Sequence, residues 1–186
     1  LHDPLPIEAS QFIEERIIRR ALAYMDQELK DIPQTLFGCW NAGDSLEKLF
    51  SGSNLEDSDN GRRQQQQQQL LEWSTREPAV NVYYSPDGHF GIHKDNKSLT
   101  ILMPLTSRGV DFTGGGTAFW SQSHPDERRH APSLVLSPEA GTALLFGGRV
   151  SHKGLHIDTG KRVVFVASFS RRLVGEKSKT WVVSAR

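Results

Sequence analysis

A histidine and an aspartate stand two residues apart in the segment GIHKDNKSLTILMPL, residues 91–105. His93 and Asp95 are both good metal ligands, and a run of mostly apolar residues follows them almost at once. In a strand, side chains two residues apart project from the same face, so the two groups would point together. The plain alternative is a pair of polar side chains that only face solvent at a strand end. A metal site therefore requires a further ligand from elsewhere in the chain.

The downstream histidines are the candidates for that ligand. An iron(II) centre that binds oxygen needs open positions on one side, and two histidines with one carboxylate leave them open. His124 and His130 lie in the polar, proline-containing segment SHPDERRHAP and are expected to face solvent. His152 and His156 lie four residues apart in VSHKGLHID and share strand parity, so either can point inward.

Arg162 begins the apolar segment RVVFVASF, which is an unusual place for a guanidinium group. One interpretation is an ordinary strand-end arginine whose aliphatic stem packs along the apolar surface. The other is a planar fork that binds a carboxylate at the base of a barrel.

The elements that position these residues begin with helices. Apolar residues recur at helical spacing over residues 7–30, and Pro33 limits the continuation of this helix. A shorter helix is predicted over 44–50, with Asp44 as its N-cap. The composition of 51–63, rich in Ser, Gly, Asn and Asp, predicts a loop.

A glutamine tract, residues 64–69, follows this loop, and we assign it no chemistry. Glutamine is a fair helix former, so the tract is compatible with a helix that extends through Leu70, Leu71 and Trp73.

From Val80 onward, short β-rich segments follow one another between Gly, Pro and Asp residues. About eight strands without helices between them predict a jelly roll. The expected fold is α+β but mainly β, a double-stranded β-helix of the cupin-like barrel type buttressed by N-terminal helices. The expected single domain, 1–186, has a helical part (1–79), a β core (80–172) and a C-terminal segment (173–186). The predicted strands are 80–84, 90–95, 98–105, 117–120, 133–137, 142–147, 150–157 and 162–170.

Composition excludes several classes of function. The chain has 186 residues, of which 37% are hydrophobic, and its 22 Lys and Arg balance 22 Asp and Glu. Because the charges balance, there is no overall positive electrostatic field that would attract nucleic acid. No apolar run reaches the roughly 20 residues of a membrane helix. Cys39 is the only cysteine, which excludes a zinc cluster of the finger type. The protein is expected to be soluble. The sequence, which begins at Leu1, does not identify its compartment, although the cytoplasm is slightly favoured. It does not indicate the oligomeric state either.

At this point the ordered set of residues resembles the iron(II)/2-oxoglutarate dioxygenase superfamily, and within it the prolyl 4-hydroxylase branch. The similarity covers about residues 80–170, roughly half of the chain. A lone His-x-Asp is a weak signal, whereas the whole set in this order is specific. Its members in this sequence are Tyr84, His93-Lys94-Asp95, GGGTAF (114–119), GTALLF (141–146), His152 and Arg162.

The resemblance implies that His93, Asp95 and His152 bind iron and that Arg162 pairs with the distal carboxylate of 2-oxoglutarate. The preference for His152 over His156 rests on the ten-residue offset between His152 and Arg162.

The resemblance also suggests that Tyr84 and Thr117 contact the same carboxylate, although both residue types are common in ordinary strands. The chain departs from the collagen-type enzymes, which usually have lysine where Arg162 stands and which carry several cysteines. Hydroxylation of collagen is therefore less expected than the general activity of the superfamily.

The implied activity is that of an oxidoreductase, a dioxygenase that consumes O₂ and 2-oxoglutarate, releases succinate and CO₂ and hydroxylates an unactivated C–H bond. A prolyl residue of a peptide or protein is the expected substrate, and ascorbate the expected reductant. One alternative is the same chemistry on a free amino acid or another small metabolite. The other is a cupin-like barrel that binds a metal or ligand without turnover. Neither a nucleic acid nor a membrane is expected as a partner.

Overall fold

The chain forms two compact units, residues 1–72 with 171–186, and residues 73–170. The described part of the first unit is mainly helical, and the second consists of strands. The single domain expected from the sequence stays a prediction. No helix within the described stretches is long and apolar enough to cross a membrane. The computed structural model describes residues 7–37, 45–51, 69–121 and 130–173.

The helix predicted over residues 7–30 is confirmed as a helical run that changes geometry along its length. Ile18, Leu22 and Met25 form its buried stripe, at the spacing that places side chains on one helix face. Pro33 lies in the first turn of the next helix, where its missing N–H breaks no hydrogen bond. The helical elements are α1 (Ile7–Phe12), a π-helical segment (Ile13–Ile18), α2 (Arg19–Glu28), α3 (Asp31–Phe37) and α4 (Leu46–Ser51).

Helix α4 confirms the short helix predicted over 44–50. The predicted N-cap, Asp44, lies outside the described residues. Ser45 is the N-cap in the structure, because its hydroxyl accepts the backbone N–H of Lys48 at 3.0 Å. The carboxylate of Asp26 on α2 also accepts the N–H of Leu46 at 3.0 Å, which ties the start of α4 to α2.

The helix with which the glutamine tract is compatible does not extend through Leu70, Leu71 and Trp73, because β1 (Gln69–Trp73) is extended. The loop 51–63 lies outside the described residues except for its first residue, as does the glutamine tract before Gln69. Trp73 packs edge-on against Phe169, with ring centroids 5.0 Å apart. Packing against a neighbouring strand outweighs the modest helix propensity of glutamine.

The remaining strands form two antiparallel sheets. In the first, β2, β4 and β5 each pair with β10, and β8 pairs with β4. In the second, the order is β3-β9-β6-β7. The described chain is therefore mainly β with antiparallel sheets and short helices, as predicted. These strands are β2 (Ala79–Tyr84), β3 (Phe90–His93), β4 (Leu99–Pro104), β5 (Phe112–Gly114), β6 (Thr117–Trp120), β7 (Leu134–Leu136), β8 (Leu144–Phe146), β9 (Ser151–Gly154) and β10 (Ile157–Leu173).

Each predicted strand has a counterpart, and two differences affect the site. The sequence did not predict β5, which lies in the glycine-rich segment between the strands predicted over 98–105 and 117–120. The strand predicted over 150–157 is two elements, because β9 ends at Gly154 and β10 begins at Ile157. The residues between them do not keep the alternation of a strand, so the parity expected for His156 is lost.

Candidate functional site

Three potential metal ligands meet where β3 and β9 pair. His93 is the last residue of β3 and lies directly opposite His152 on β9. Asp95 follows just after the end of β3, and its two carboxylate oxygens face the Nε2 atoms of the two rings. The His93 Nε2 atom is 3.3 Å from Asp95 Oδ1, and the His152 Nε2 atom is 3.8 Å from Asp95 Oδ2. One ligand atom from each residue lies within 4.8 Å of the others.

Backbone carbonyls orient both imidazoles. The Nδ1 atom of His93 is 2.8 Å from the carbonyl oxygen of Gly91, and that of His152 is 3.1 Å from the carbonyl oxygen of Val150. A carbonyl only accepts, so each Nδ1 carries a proton; in the neutral ring Nε2 then keeps a lone pair, whereas a protonated His93 donates from Nε2 to Asp95. Two lone pairs that face one carboxylate are favourable only with a cation, a proton or a metal ion, between them.

Hydroxyl groups behind Asp95 hold its carboxylate. The Thr100 hydroxyl donates to Asp95 Oδ2, and it lies 3.2 Å from the hydroxyl of Ser168. Thr100 and Ser168 are both fully buried, so water does not compete for these bonds. The carboxylate is thereby fixed with Oδ1 and Oδ2 toward the histidines.

Burial and hydrogen bonding shift the pKa values of these groups. Burial alone would raise the pKa of Asp95, but hydrogen bonds with His93 and Thr100 hold it below its ordinary value. Burial lowers the pKa of His152. Burial also acts to lower the pKa of His93, yet its hydrogen bonds to Asp95 and Gly91 leave that pKa raised. An ionised carboxylate next to a neutral imidazole is the form in which these groups bind a metal.

Arg162 lies in the same pocket with its side chain buried, at 4% exposure. Its Nη1 donates to the carbonyl of Gly116 and its Nη2 to the Thr117 hydroxyl, both at 3.1 Å. The guanidinium carbon lies 5.6 Å from the centre of the Tyr83 ring. Burial lowers the pKa of Arg162. No carboxylate of the described residues forms an ion pair with this cation.

The glycine-rich segment before β6 supplies one of these contacts. Gly116 has φ of +109°, a conformation that L side chains rarely adopt, and a Cβ there would lie 2.7 Å from the Ser137 hydroxyl. Only glycine therefore places this carbonyl against Arg162 without strain.

The metal-ligand cluster and the guanidinium group of Arg162 lie near each other along β9. On β9, His152 and Gly154 are two residues apart, which is about 7 Å of strand. Gly154 lies opposite Thr117, and a Cβ on Gly154 would be 3.6 Å from Nη1 of Arg162. The pocket lining comprises Glu77, Asn81, Tyr83, Phe90, His93, Asp95, Leu102, Thr117, His152, Gly154, Arg162, Val164 and Val166.

The structure brings together five of the six site residues predicted from the sequence: His93, Asp95, His152, Thr117 and Arg162. It does not bring Tyr84 to the pocket.

Tyr84 is 63% exposed, whereas its neighbour Tyr83 lies opposite Arg162 and lines the pocket. Strand alternation alone separates the two tyrosines, because adjacent side chains face opposite sides of a sheet.

The other histidines lie away from the cluster. His156 is exposed, and its ring stacks on His89 with centroids 4.0 Å apart. His130 is also exposed, and His124 lies outside the described residues. Glu77 is a pocket residue that sequence reasoning missed, because it precedes β2 and belongs to no recognisable motif.

Parts of this chain are similar to known proteins. No protein-family model matches the sequence. The chain is 33% identical over 90 residues to the multifunctional procollagen lysine hydroxylase and glycosyltransferase LH3 of Rattus norvegicus, and 31% identical to that of Homo sapiens. Each match covers 46% of this chain and 11% of the relative, so the chain spans about a tenth of their length.

Among solved structures, the chain is similar to an oxidoreductase of the 2OG-Fe(II) oxygenase family from Burkholderia pseudomallei. The TM-score is 0.42 at 20% identity, over 50% of this chain and 41% of the other. The matched mammalian relatives are hydroxylases by name, as the resemblance that the motifs carry implies.

Proposed function

We propose that this protein is an iron(II)/2-oxoglutarate-dependent dioxygenase that hydroxylates an unactivated C–H bond. The observation that carries the proposal is Arg162, a buried cation without a carboxylate partner among the described residues. It shares a pocket with the His93, Asp95 and His152 cluster. A buried charge without a partner is costly, so a site of this kind favours an anionic ligand.

The strand order supports a double-stranded β-helix as the scaffold. Along the chain, β2 belongs to the first sheet, β3 to the second and β4 to the first again. β6 and β7 belong to the second sheet, and β8, β9 and β10 then alternate between the two. A barrel with this winding places residues of distant strands around one mouth.

His93, Asp95 and His152 would hold the iron. Two imidazole nitrogens and one carboxylate are the donor set that non-haem iron(II) oxygenases use, and they leave positions open on one side. When bound, iron activates O₂ for C–H hydroxylation at the expense of 2-oxoglutarate, which becomes succinate and CO₂. The carbonyls of Gly91 and Val150 hold the imidazoles in the tautomer that binds a metal.

Arg162 and Thr117 would bind the far carboxylate of 2-oxoglutarate. The guanidinium donates a planar pair of hydrogen bonds, and the Thr117 hydroxyl can turn its proton to the same carboxylate. The distance of about 7 Å along β9 between His152 and Gly154 suits a five-carbon diacid with one end at each place. Because these side chains are buried, the carboxylate would be bound away from water.

The substrate that we propose is a side chain of a peptide or protein. The resemblance to the prolyl 4-hydroxylase branch suggests a prolyl residue, whereas the matched mammalian relatives are lysine hydroxylases by name. A free amino acid or another small metabolite is the alternative. Ascorbate is the proposed reductant.

The test is 2-oxoglutarate turnover followed by a search for the product. Purified protein with iron(II), ascorbate and 2-oxoglutarate should form succinate even without a substrate. With a peptide library it should yield products that gain one oxygen by mass spectrometry. His152→Ala should abolish both, and His156→Ala is the matched control that retains them. Absence of succinate in the native protein at saturating iron(II) would support the non-catalytic barrel instead.

A further inference from the structure

The pocket holds a second ionisable group that forms no ion pair with the described residues. Glu77 is half-buried in the pocket lining, and one of its carboxylate oxygens accepts the backbone N–H of Ser168. No Lys, Arg or His side chain of the described residues forms an ion pair with it. Burial raises the pKa of Glu77, and the hydrogen bond from Ser168 opposes this rise only in part.

Glu77 lies on the side of the pocket away from Arg162. Arg162 is a residue of β10, and Glu77 is hydrogen-bonded to β10 at Ser168. Positions 162 and 168 are separated by about 20 Å of strand. Val164 and Val166 line the pocket between them. The ligand cluster is connected to the Glu77 side, because Ser168 contacts Thr100 and Thr100 in turn donates to Asp95. The charge of Arg162 is thus available to the cosubstrate, and the charge of Glu77 is available to the substrate.

The residues that line the pocket together with Glu77 indicate which chemical group of a substrate would fit there. Leu102, Val166 and Phe90 supply apolar surface in the same pocket, which suits an aliphatic stem. A carboxylate at the end of such a surface is stabilised by a donor that carries positive charge, and a protonated amine is such a donor. A pyrrolidine ring within a peptide has neither an N–H nor a charge to offer, so it would leave Glu77 unpaired.

We propose, on the basis of the function proposed above, that Glu77 selects substrates that carry a protonated amine on an aliphatic chain. The C–H bond to be hydroxylated lies on that chain, next to the ligand cluster. A lysyl side chain and a free diamino acid share this chemistry.

The test compares substrates that differ only in charge. Three peptides of one sequence carry lysine, norleucine or proline at the central position, and free lysine is the fourth substrate. The measured quantity is the ratio of kcat/KM for the lysine peptide to that for the norleucine peptide. Glu77→Gln keeps the size and the acceptor for the Ser168 N–H but removes the charge. Glu77→Asp keeps the charge.

The native protein should prefer lysine over norleucine, and Glu77→Gln should lower that ratio by at least about thirtyfold, the effect of losing one partner of a buried charge pair. Glu77→Asp should retain part of the preference. Hydroxylation of free lysine with all peptides unmodified would support the same recognition and identify a free amine as the source. An equal ratio in the native protein and Glu77→Gln, or hydroxylation of the proline peptide alone, would overturn the proposal.

Binding separates this proposal from the proposed reaction. Fluorescence anisotropy of the labelled lysine and norleucine peptides, with Mn(II) in place of iron, measures recognition without turnover. Binding that prefers lysine and depends on Glu77, in a protein that forms no succinate, would sustain the recognition and refute the reaction. Succinate formation with equal binding of both peptides would do the reverse.

Discussion

Arg162→Met should remove most of the response of the metal-loaded protein to 2-oxoglutarate while changing the stability of the unliganded protein only modestly. Methionine fills much of the volume of the arginine stem without its charge. Gly116 keeps a hydrogen bond after the change, because its carbonyl also accepts the N–H of Leu155 at 3.0 Å. The substitution therefore removes a buried cation and leaves the Thr117 hydroxyl as the group that loses its donor.

The magnitudes follow from these contacts. The lost hydrogen bond costs about 1 kcal/mol. Replacing a buried charged group by an apolar one of similar size is often neutral or stabilising, by up to about 4 kcal/mol. The net change is then about −1 to +3 kcal/mol, and each kcal/mol shifts Tm by about 2–4 °C in a chain of this size. Loss of two charge-assisted hydrogen bonds to the diacid, at about 1.5–3 kcal/mol each, weakens its binding by about 10²- to 10⁴-fold.

Thermal unfolding with and without 2-oxoglutarate, in the presence of Mn(II), measures both effects. At a ligand concentration of about 100 times Kd the native protein gains about 2.7 kcal/mol, a rise in Tm of about 5–11 °C. Arg162→Met should show a rise of at most about 1–2 °C at that concentration, because a 100-fold weaker Kd leaves only about 0.4 kcal/mol. Arg162→Lys should show a reduced one, because a charge remains and the fork is lost. The reasoning is refuted if Arg162→Met keeps the full ligand-dependent rise, since the diacid would then bind elsewhere.

Three further predictions concern the ligand cluster. His152→Ala should abolish Mn(II) binding by calorimetry, and His156→Ala should keep it; the opposite result would mean that the wrong histidine was chosen. Thr100→Val removes the hydroxyl that holds Asp95 and should weaken Mn(II) binding by about 10- to 100-fold, whereas Thr100→Ser should restore it; equal affinities for both would remove that role. Mn(II) binding should weaken as pH falls through the raised pKa of His93, because a protonated imidazole has no lone pair for the metal; an affinity that stays constant through that range would contradict this reasoning.

The motifs predicted the ligand cluster because they encode chemistry, but they do not encode the face of a strand. Tyr84 was chosen by its offset from His93, whereas the pairing of β2 with β10 aligns Tyr83 with Arg162. Strand β2 also reverses the usual pattern of apolar residues inside. Asn81 and Tyr83 line the pocket, while Val82 is 44% exposed. Alternation in the sequence alone therefore indicates the wrong side.

Other differences arise where tertiary contacts decide the outcome. The residues after the glutamine tract form a strand because Trp73 packs on Phe169, a partner almost a hundred residues away. Strand β5 exists because Gly160 on β10 pairs with Phe112. Glu77 reaches the pocket through its bond to Ser168. Each of these contacts is distant in sequence, and periodicity detects only local regularity.

The long strand β10 also fixes the distance between Arg162 and Ser168 along the pocket. From Lys161 to Phe169 its pairing with β2 and β4 runs without a shift in register. Insertion or deletion of one residue between Arg162 and Ser168 would turn one of these positions to the other face of the sheet. Loops around the mouth can lengthen or shorten without changing the spacing that this strand sets. Variants that accept larger substrates should therefore carry changes in the loops. A one-residue change in the length of β10 cannot increase the distance between Arg162 and Ser168 without turning one of them to the other face.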